Sequence, residues 1–183
     1  MTVEQIILLE SERLILRQWQ ESDLEPFAAL TSDPLVMQYF PAVLTRAESD
    51  ALVKKLQNHI TQHGWGFWAV ELKATSECIG LVGMIHQNGD IPNAPFVEIG
   101  WRLSANHWRK GYTLEAARAS LDFAFQTLGL NAVYAFTTLD NLPSIGVMEK
   151  LGMVNQQQDF NHPSLPVDHP MSRHCLYKIE RDS

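Results

Sequence analysis

The spacing of hydrophobic positions changes in the middle of the chain, and this change marks its most informative segment. Residues 96–103 form an almost continuous apolar run, which predicts a strand. The polar residues 104–110 follow and lead to Gly111. From Thr113 onward, apolar residues recur at spacings of three and four, which predicts a helix. The pattern therefore predicts a strand, a loop and a helix in succession.

The loop before this helix has the composition of an anion-binding site. Arg109, Lys110 and Gly111 lie at its end. The first turn of a helix presents up to four unbonded N–H groups and roughly half a positive charge. A glycine allows an oxyanion to approach the backbone closely. We therefore expect a pyrophosphate to bind there.

Two amphipathic segments in the first third of the chain predict helices. The first begins between residues 21 and 23 and ends before Pro34. The second begins at a capping box formed by Thr45 and Glu48 and runs to about residue 62. Its inward-facing residues are predicted to be Leu52, Leu56 and Ile60.

The remaining segments complete a pattern of alternating strands and helices. A further helix is predicted after Asn141, and residues 161–171, with three prolines, are predicted to form a long loop. Strands are also predicted at 13–18, 67–72, 78–85, 131–138, 154–160 and 174–180, the last two as an antiparallel pair. We therefore expect one α/β domain over residues 1–183, with a mostly antiparallel twisted sheet and helices on both faces.

Composition narrows the functional classes. The chain has 183 residues, its apolar runs are far too short to cross a bilayer, and its N-terminus lacks the pattern of a signal peptide. Cys78 and Cys175 are expected to be buried free thiols, which fits a cytoplasmic location. The net charge of −7 argues against nucleic acid as a partner and is mildly favourable for a cationic amine. His162, His169 and His174 do not have the spacing of a metal site, so no metal is expected.

The glycine pattern matches neither a P-loop nor a dinucleotide-binding fold. Instead, W-R-K-G-Y-T resembles the acetyl-CoA pyrophosphate loop of the GNAT superfamily of N-acyltransferases. The usual pattern there is Gln/Arg-x-x-Gly-x-Gly/Ala. Trp108, Gly111 and Thr113 stand at its three fixed positions, and Gly111 keeps the usual residue. The wider pattern W-x-K-G-Y-x-x-E-A is similar to the branch that contains the RimJ and RimL ribosomal-protein acetyltransferases.

A second segment, N-L-P-S-I-G-V-M-E-K-L-G-M, resembles the same superfamily. There, an Asn after the fifth strand and a Ser three residues later contact the pantetheine arm; Asn141 and Ser144 fit this pattern. The resemblance extends from S-E-R-L-I-L-R near the N-terminus to R-H-C-L-Y near the C-terminus. It implies a central sheet splayed at the middle strand and an acceptor site bordered by the first two helices. It also implies that acetyl-CoA is bound by Trp101, Leu103, Trp108, Arg109, Lys110, Gly111, Tyr112, Thr113, Asn141 and Ser144.

Acyl transfer to an amine requires a proton acceptor, because an alkylammonium is mostly protonated at neutral pH. Glu98 is the first candidate, since desolvation within an apolar strand would raise its pKa. The alternatives are a structural carboxylate paired with Arg102 or Arg109, or one that faces water. Asp159 is the second candidate, because related ribosomal-protein acetyltransferases carry an acid at about this place. The resemblance also implies that Ser144 protonates the departing thiolate or only binds pantetheine.

These observations together predict an acetyl-CoA-dependent N-acetyltransferase in which a primary amine attacks the thioester directly. No covalent enzyme intermediate is expected, since neither cysteine lies near the coenzyme motifs. The predicted acceptor is a protein N-terminal α-amine of the ribosomal-protein type. The alternatives are a small-molecule amine acetyltransferase and a non-catalytic acyl-CoA-binding protein. No membrane or nucleic-acid partner is expected, and both a monomer and a homodimer fit.

Overall fold

The computed structural model describes residues 5–181. These residues group into two units, one containing residues 5–84 and 100–120 and the other containing residues 85–99 and 121–181. The strands of the described residues are β1 Leu9–Glu10, β2 Leu14–Arg17, β3 Phe67–Leu72, β4 Cys78–Gln87, β5 Phe96–Leu103, β6 Ala132–Thr138, β7 Val154–Asn155, β8 Phe160–Asn161 and β9 Arg173–Glu180. The α-helices are α1 Leu24–Thr31, α2 Arg46–His63, α3 Tyr112–Gln126 and α4 Leu142–Lys150.

The strands confirm the predicted α/β class with mostly antiparallel pairing. In the first unit, β1, β2, β3 and β4 pair in sequence as antiparallel neighbours. In the second unit, β6 pairs with β9 in antiparallel fashion over its whole length, whereas β5 and β6 are parallel. Within residues 5–181, no helix combines the length and apolarity needed to span a membrane.

Helix α2 follows the capping signals in the sequence. The Thr45 hydroxyl accepts a hydrogen bond from the Glu48 amide, and the Glu48 carboxylate accepts one in return from the Thr45 amide, which confirms the predicted capping box. The inner face is rotated slightly from the prediction. Leu56 and Ile60 are buried as expected, but Leu52 is only half-buried, and the neighbouring Val53 takes the buried position.

A hydrophobic cluster in the second unit forms where β5, β6, β8 and β9 meet. Ile91, Phe96, Phe160 and Leu176 are buried in it, and partly buried aromatic rings pack around them. The ring of Phe96 stacks on Tyr134, with centroids 4.5 Å apart. These contacts fix the N-terminal end of β5, which also carries Glu98.

The predicted strand at residues 154–160 is wrong as a single element. It is divided into β7 and β8, each two residues long, and both pair with β9. The break lies at Gln157, whose φ of 57° is left-handed and cannot continue a strand. The Asn155 side chain accepts a hydrogen bond from the Gln157 amide at 2.8 Å, which closes a local turn.

A buried ion cluster connects β2, β3 and the start of α1. The guanidinium of Arg17 donates two hydrogen bonds to Asp23, at 2.7 and 2.9 Å, and its Nε donates one to Glu71 at 2.5 Å. Arg17 and Asp23 are 8% and 1% exposed. Their charges are therefore largely removed from water and depend on each other.

We expect Asp23→Asn to destabilise the protein by about 3 kcal/mol, because it leaves the Arg17 cation buried with one carboxylate instead of two. The free energy of unfolding in urea measures the loss. Asp50→Asn is the matched control, since Asp50 pairs with the exposed Arg46 and its loss should barely move the unfolding midpoint. Equal effects of both substitutions would contradict this account.

Candidate active site

The loop between β5 and α3 contains two residues with left-handed φ angles directly before a helix, a combination that is common in anion sites. Arg109 and Gly111 both have left-handed φ angles, 60° and 81°, and α3 begins at Tyr112. Successive left-handed and helical residues turn backbone N–H groups toward a common concave side, and the helix dipole adds positive potential. Arg109, Lys110 and Gly111 are exposed, so the loop is accessible to a ligand. The left-handed φ angles, the helix dipole and the two basic side chains are all consistent with the predicted diphosphate site.

Trp108 is fastened to the end of β5. Its indole Nε1 donates a hydrogen bond of 2.8 Å to the carbonyl oxygen of Leu103, while the ring remains 36% exposed. This bond fixes where the loop leaves the strand. Of the predicted coenzyme-binding residues on β5, Leu103 is buried and Trp101 is half-buried.

Arg13, which was not predicted from the sequence as a site residue, also contacts the loop. Its Nη1 donates to the carbonyl oxygen of Lys110 at 2.9 Å, and its guanidinium carbon lies 4.5 Å from the centroid of the Tyr112 ring. Its Nε donates to Glu115 at 2.7 Å. Ser11 also donates to that carboxylate, at 2.6 Å. The loop is therefore pinned through a carbonyl, a ring and the first turn of α3, without using the amides that face an anion.

The ionisation of Glu115 reflects these contacts. Partial burial acts to raise the pKa of Glu115, but the hydrogen bonds from Ser11 and Arg13 outweigh it and hold the pKa below its ordinary value. Glu115 is thus ionised at neutral pH and acts as the structural counterion of Arg13. Sequence reasoning missed this pair because Arg13 and Glu115 are 102 positions apart.

Glu98, the predicted base, lies in the part of β5 that belongs to the second unit. Burial raises the pKa of Glu98 to about 7, and a hydrogen bond of 2.5 Å from Gln87 acts in the opposite direction. Within the second unit, the polar partner of this carboxylate is therefore the side-chain amide of Gln87. A carboxyl group that titrates near neutrality can exchange a proton under physiological conditions.

Asn141 and Ser144 lie at the N-terminus of α4, also in the second unit. The Asn141 side chain is the N-cap: its oxygen accepts a hydrogen bond from the Ser144 amide at 3.2 Å, and its Nδ2 donates to Thr137 at 2.9 Å. Ser144 is half-buried in the first turn. The two residues are therefore brought together, in a manner that also starts the helix.

The remaining candidate residues are an aspartate, two cysteines, and two histidines that lie in the C-terminal loop and strand. Asp159 is exposed, between β7 and β8. Cys78 and Cys175 are free and buried, as predicted, and burial raises the pKa of Cys78 to about 12. His162 and His174 lie with ring centroids 5.0 Å apart. In the described part of the chain, no group of three or more His, Cys, Asp or Glu side chains is arranged to hold a metal ion.

The predicted site residues therefore form two sets, one in each unit. The first unit holds the predicted diphosphate loop together with Trp101, Leu103, Trp108 and Tyr112. The second unit holds Glu98, Asn141, Ser144 and Asp159.

Comparison with known proteins identifies the family. A family model described as an acetyltransferase (GNAT) domain matches residues 13–154. The chain is 34% identical over 146 residues to the uncharacterized protein YkkB of Bacillus subtilis (strain 168), covering 79% of this chain and 84% of that protein. It is 31% identical over 146 residues to the uncharacterized N-acetyltransferase YnaD of the same organism, covering 79% and 81%.

Solved structures agree with these matches. The structure of an acetyltransferase (GNAT family) from Bacillus anthracis is similar to this chain with a TM-score of 0.80 and 28% identity, covering 95% of this chain and 98% of that one. With the match over residues 13–154, this similarity shows that the chain is an acetyltransferase of the GNAT family.

Proposed function

We propose that this enzyme transfers the acetyl group of acetyl-CoA to a protein N-terminal α-amine, with residues 1–183 acting as one catalytic domain in the cytoplasm. The observation that carries the proposal is the pair of residues with left-handed φ, Arg109 and Gly111, directly before the first turn of α3. The GNAT family uses acetyl-CoA, and this loop has the conformation and charge to receive its diphosphate.

In the proposed binding mode, residues 109–113 hold the diphosphate through backbone amides and the two basic side chains. Trp101, Leu103, Trp108 and Tyr112 border the coenzyme in the first unit. Asn141 and Ser144 bind its pantetheine arm from the start of α4. Bound acetyl-CoA supplies the activated acyl group, and the protein supplies orientation and proton transfer.

Glu98 is proposed to accept the proton that the acceptor ammonium must lose. The neutral amine nitrogen then forms a bond to the acyl carbon and loses its second proton as the carbon–sulfur bond breaks. The departing thiolate takes up a proton, which the second proton of the nitrogen replaces. Ser144 is the proposed donor of that proton, with pantetheine binding alone as the alternative. The raised pKa of Glu98, about 7, supports the role of base, because a carboxyl group of ordinary pKa would be a weak proton acceptor. Asp159 is the second candidate.

The acceptor is the least constrained part of the proposal. Support for a protein N-terminus comes from the W-x-K-G-Y-x-x-E-A pattern and from fold similarity to a putative ribosomal-protein-serine acetyltransferase from Vibrio cholerae, at 17% identity and a TM-score of 0.75. A small amine is the second candidate. Spermidine N-acetyltransferase from the same organism, in complex with CoA and spermine, has a TM-score of 0.69 at 20% identity. At such identities the likeness concerns the fold alone.

Two measurements test this proposal. Isothermal titration with acetyl-CoA should give saturable heat, and no heat at millimolar ligand would remove the coenzyme from the proposal. Release of free thiol should then be followed with a panel of N-terminal peptides and polyamines. Faster release with peptides supports the proposed acceptor, whereas release with polyamines alone supports the small-amine reading. Binding of acetyl-CoA without release on any acceptor would contradict catalysis.

Gly111→Asp should abolish coenzyme binding, because it places a negative charge in the predicted diphosphate site. The left-handed φ of 81° costs a non-glycine residue about 1 kcal/mol, so the fold should survive. Titration with CoA measures the affinity. Gly129→Asp is the control for the backbone: Gly129 also has a left-handed φ, 65°, and a Cβ there meets nothing within 4 Å, whereas a Cβ at Gly111 lies 3.3 Å from Nη2 of Arg13. Equal loss of binding in both variants would show that the charge at position 111 acts only through stability.

Glu98→Gln should lower kcat/KM by about 100-fold and remove a titration step near pH 7 from its pH profile, because the amide cannot accept the proton. Asp159→Asn should leave the profile unchanged. The reverse result, with a normal profile for Glu98→Gln and a lost step for Asp159→Asn, would assign the base to Asp159.

The same carboxyl group should make stability depend on pH. Since the folded-state pKa of Glu98, about 7, lies above its ordinary value of 4.5, the folded protein binds the proton more tightly than the unfolded chain. The wild-type protein should therefore lose stability relative to Glu98→Gln as the pH rises from 4.5 to 7. Urea unfolding of both proteins across this range measures the difference. A constant difference would contradict the raised pKa.

A further inference from the structure

Arg102, in the first unit, is a half-buried cation without a carboxylate counterion among the described residues. Arg102 lies near the end of β5, with its guanidinium carbon 3.9 Å from the centroid of the Phe40 ring. Its Nε is buried and has no hydrogen-bond partner. No carboxylate of the described residues forms an ion pair with it, and burial by itself lowers the pKa of Arg102 to about 10. Arg102 is therefore a half-buried cation that rests on an aromatic ring and whose Nε is removed from water.

Arg17, in the same unit, is a buried arginine with a structural role, and its charge is paired. Its guanidinium is saturated by Asp23 and Glu71. Buried charges in folded proteins are paired in this way because an unpaired one is strongly unfavourable. An exception to that rule is most readily explained by a ligand that supplies the missing charge, since unsatisfied groups concentrate at functional sites.

The guanidinium of Arg102 specifies the chemistry of such a ligand. A planar fork of N–H donors matches a carboxylate or phosphate through two parallel hydrogen bonds. Partial desolvation strengthens this attraction, because the effective dielectric constant is lower than that of water. The Phe40 ring holds the fork from one side, so little conformational freedom is lost when an oxyanion binds.

The position of Phe40 favours the acceptor as the source of this oxyanion. Phe40 lies in the segment between α1 and α2, and the resemblance to the GNAT superfamily implies that these two helices border the acceptor. The coenzyme diphosphate already has the loop at Arg109, Lys110 and Gly111. Resting on the proposed function, we infer that Arg102 binds a carboxylate carried by the acceptor, so that the enzyme selects amines with an acidic group close to the reacting nitrogen.

Such a carboxylate has two possible sources, and matched acceptors distinguish them. Phenylalanine and phenylalaninamide differ in the α-carboxylate of a free amino acid, and their rates are compared at equal concentrations of the neutral amine. A pair of amidated tetrapeptides with Glu or Gln at the second position differs only in a side-chain carboxylate. The wild-type enzyme should show at least about a tenfold higher kcat/KM for the acidic member of one pair, mainly through KM. The pair that discriminates identifies the source.

Arg102→Gln should remove this preference and leave turnover of the neutral member within about twofold of wild type. Arg102→Lys, which keeps the charge without the fork, should retain only part of the preference. Equal rates for both members of both pairs in the wild-type enzyme would overturn the inference and leave the proposed function intact. Absence of acetyl-CoA binding would instead reject the proposed function.

Two further measurements do not depend on turnover. Arg102→Met should raise Tm by a few degrees, because it removes an unpaired cation and keeps apolar contact with Phe40, whereas Arg17→Met should lower Tm. A lower Tm for Arg102→Met would make Arg102 a structural residue and overturn the inference. The affinities of CoA and dephospho-CoA for wild type and Arg102→Gln test the remaining source. A loss of affinity for CoA alone would assign Arg102 to the 3′-phosphate that dephospho-CoA lacks. This result would also overturn the inference.

Discussion

The contact between Arg13 and Glu115 is the constraint on which the predicted coenzyme site depends. An anion site made of backbone amides must keep those amides unbonded within the protein, so the loop that carries them needs another means of support. Arg13 provides it by donating to the Lys110 carbonyl and to Glu115 and by lying over Tyr112. Each of these contacts uses an acceptor or a ring, which leaves the donors available. Ser11 and Arg13, which lie just before β2, thereby set the geometry of a loop about one hundred residues later.

Four of the charged side chains fall into two groups: two are paired with an opposite charge of the protein, and two have no such partner among the described residues. Arg17 and Arg13 are each paired with carboxylates, and both act on the fold. Glu98 and Arg102 are partly removed from water without an opposite charge, so their pKa values move toward neutrality, in opposite directions from their ordinary values. Such groups make the folded state less stable than it would otherwise be. The proposed function and the inference about Arg102 assign substrate to each of these two groups separately.

The parts of the fold that were predictable from sequence are those that depend on neighbouring residues. The bounds of β3 and β5 follow from short apolar runs, and the capping box of α2 follows from a four-residue pattern, so they could be identified directly. The left-handed conformation of Gly111 was likewise accessible, because glycine favours it. The break at Gln157 was not, since a glutamine in this conformation is held by the Asn155 side chain and by pairing with β9 on both sides.

The site was predictable only in part for the same reason. Glu98 could be proposed as a base from its apolar neighbours, but its partner Gln87 is eleven positions away, and the polar contact that sets its pKa could not be inferred. The unpaired state of Arg102 is still less visible in a sequence. It depends on which carboxylates the fold directs elsewhere. Pairing between β2 and β3 brings Glu71 to Arg17, and the turn that follows β2 brings Asp23 to the same guanidinium.

Asn141 shows how a structural role and a ligand-binding role can share one side chain. Capping α4 occupies one lone pair of its amide oxygen, and the contact with Thr137 occupies one of its two N–H donors. An amide has two lone pairs and two donors, so one of each remains for a ligand. The cap also fixes the orientation of the amide, which lowers the entropy lost when a pantetheine arm binds. Loss of the Asn141 side chain should accordingly weaken the start of α4 together with any contact to the arm. For that reason, the proposed coenzyme site is probed more cleanly at Gly111, where the backbone conformation can be matched by a control at Gly129.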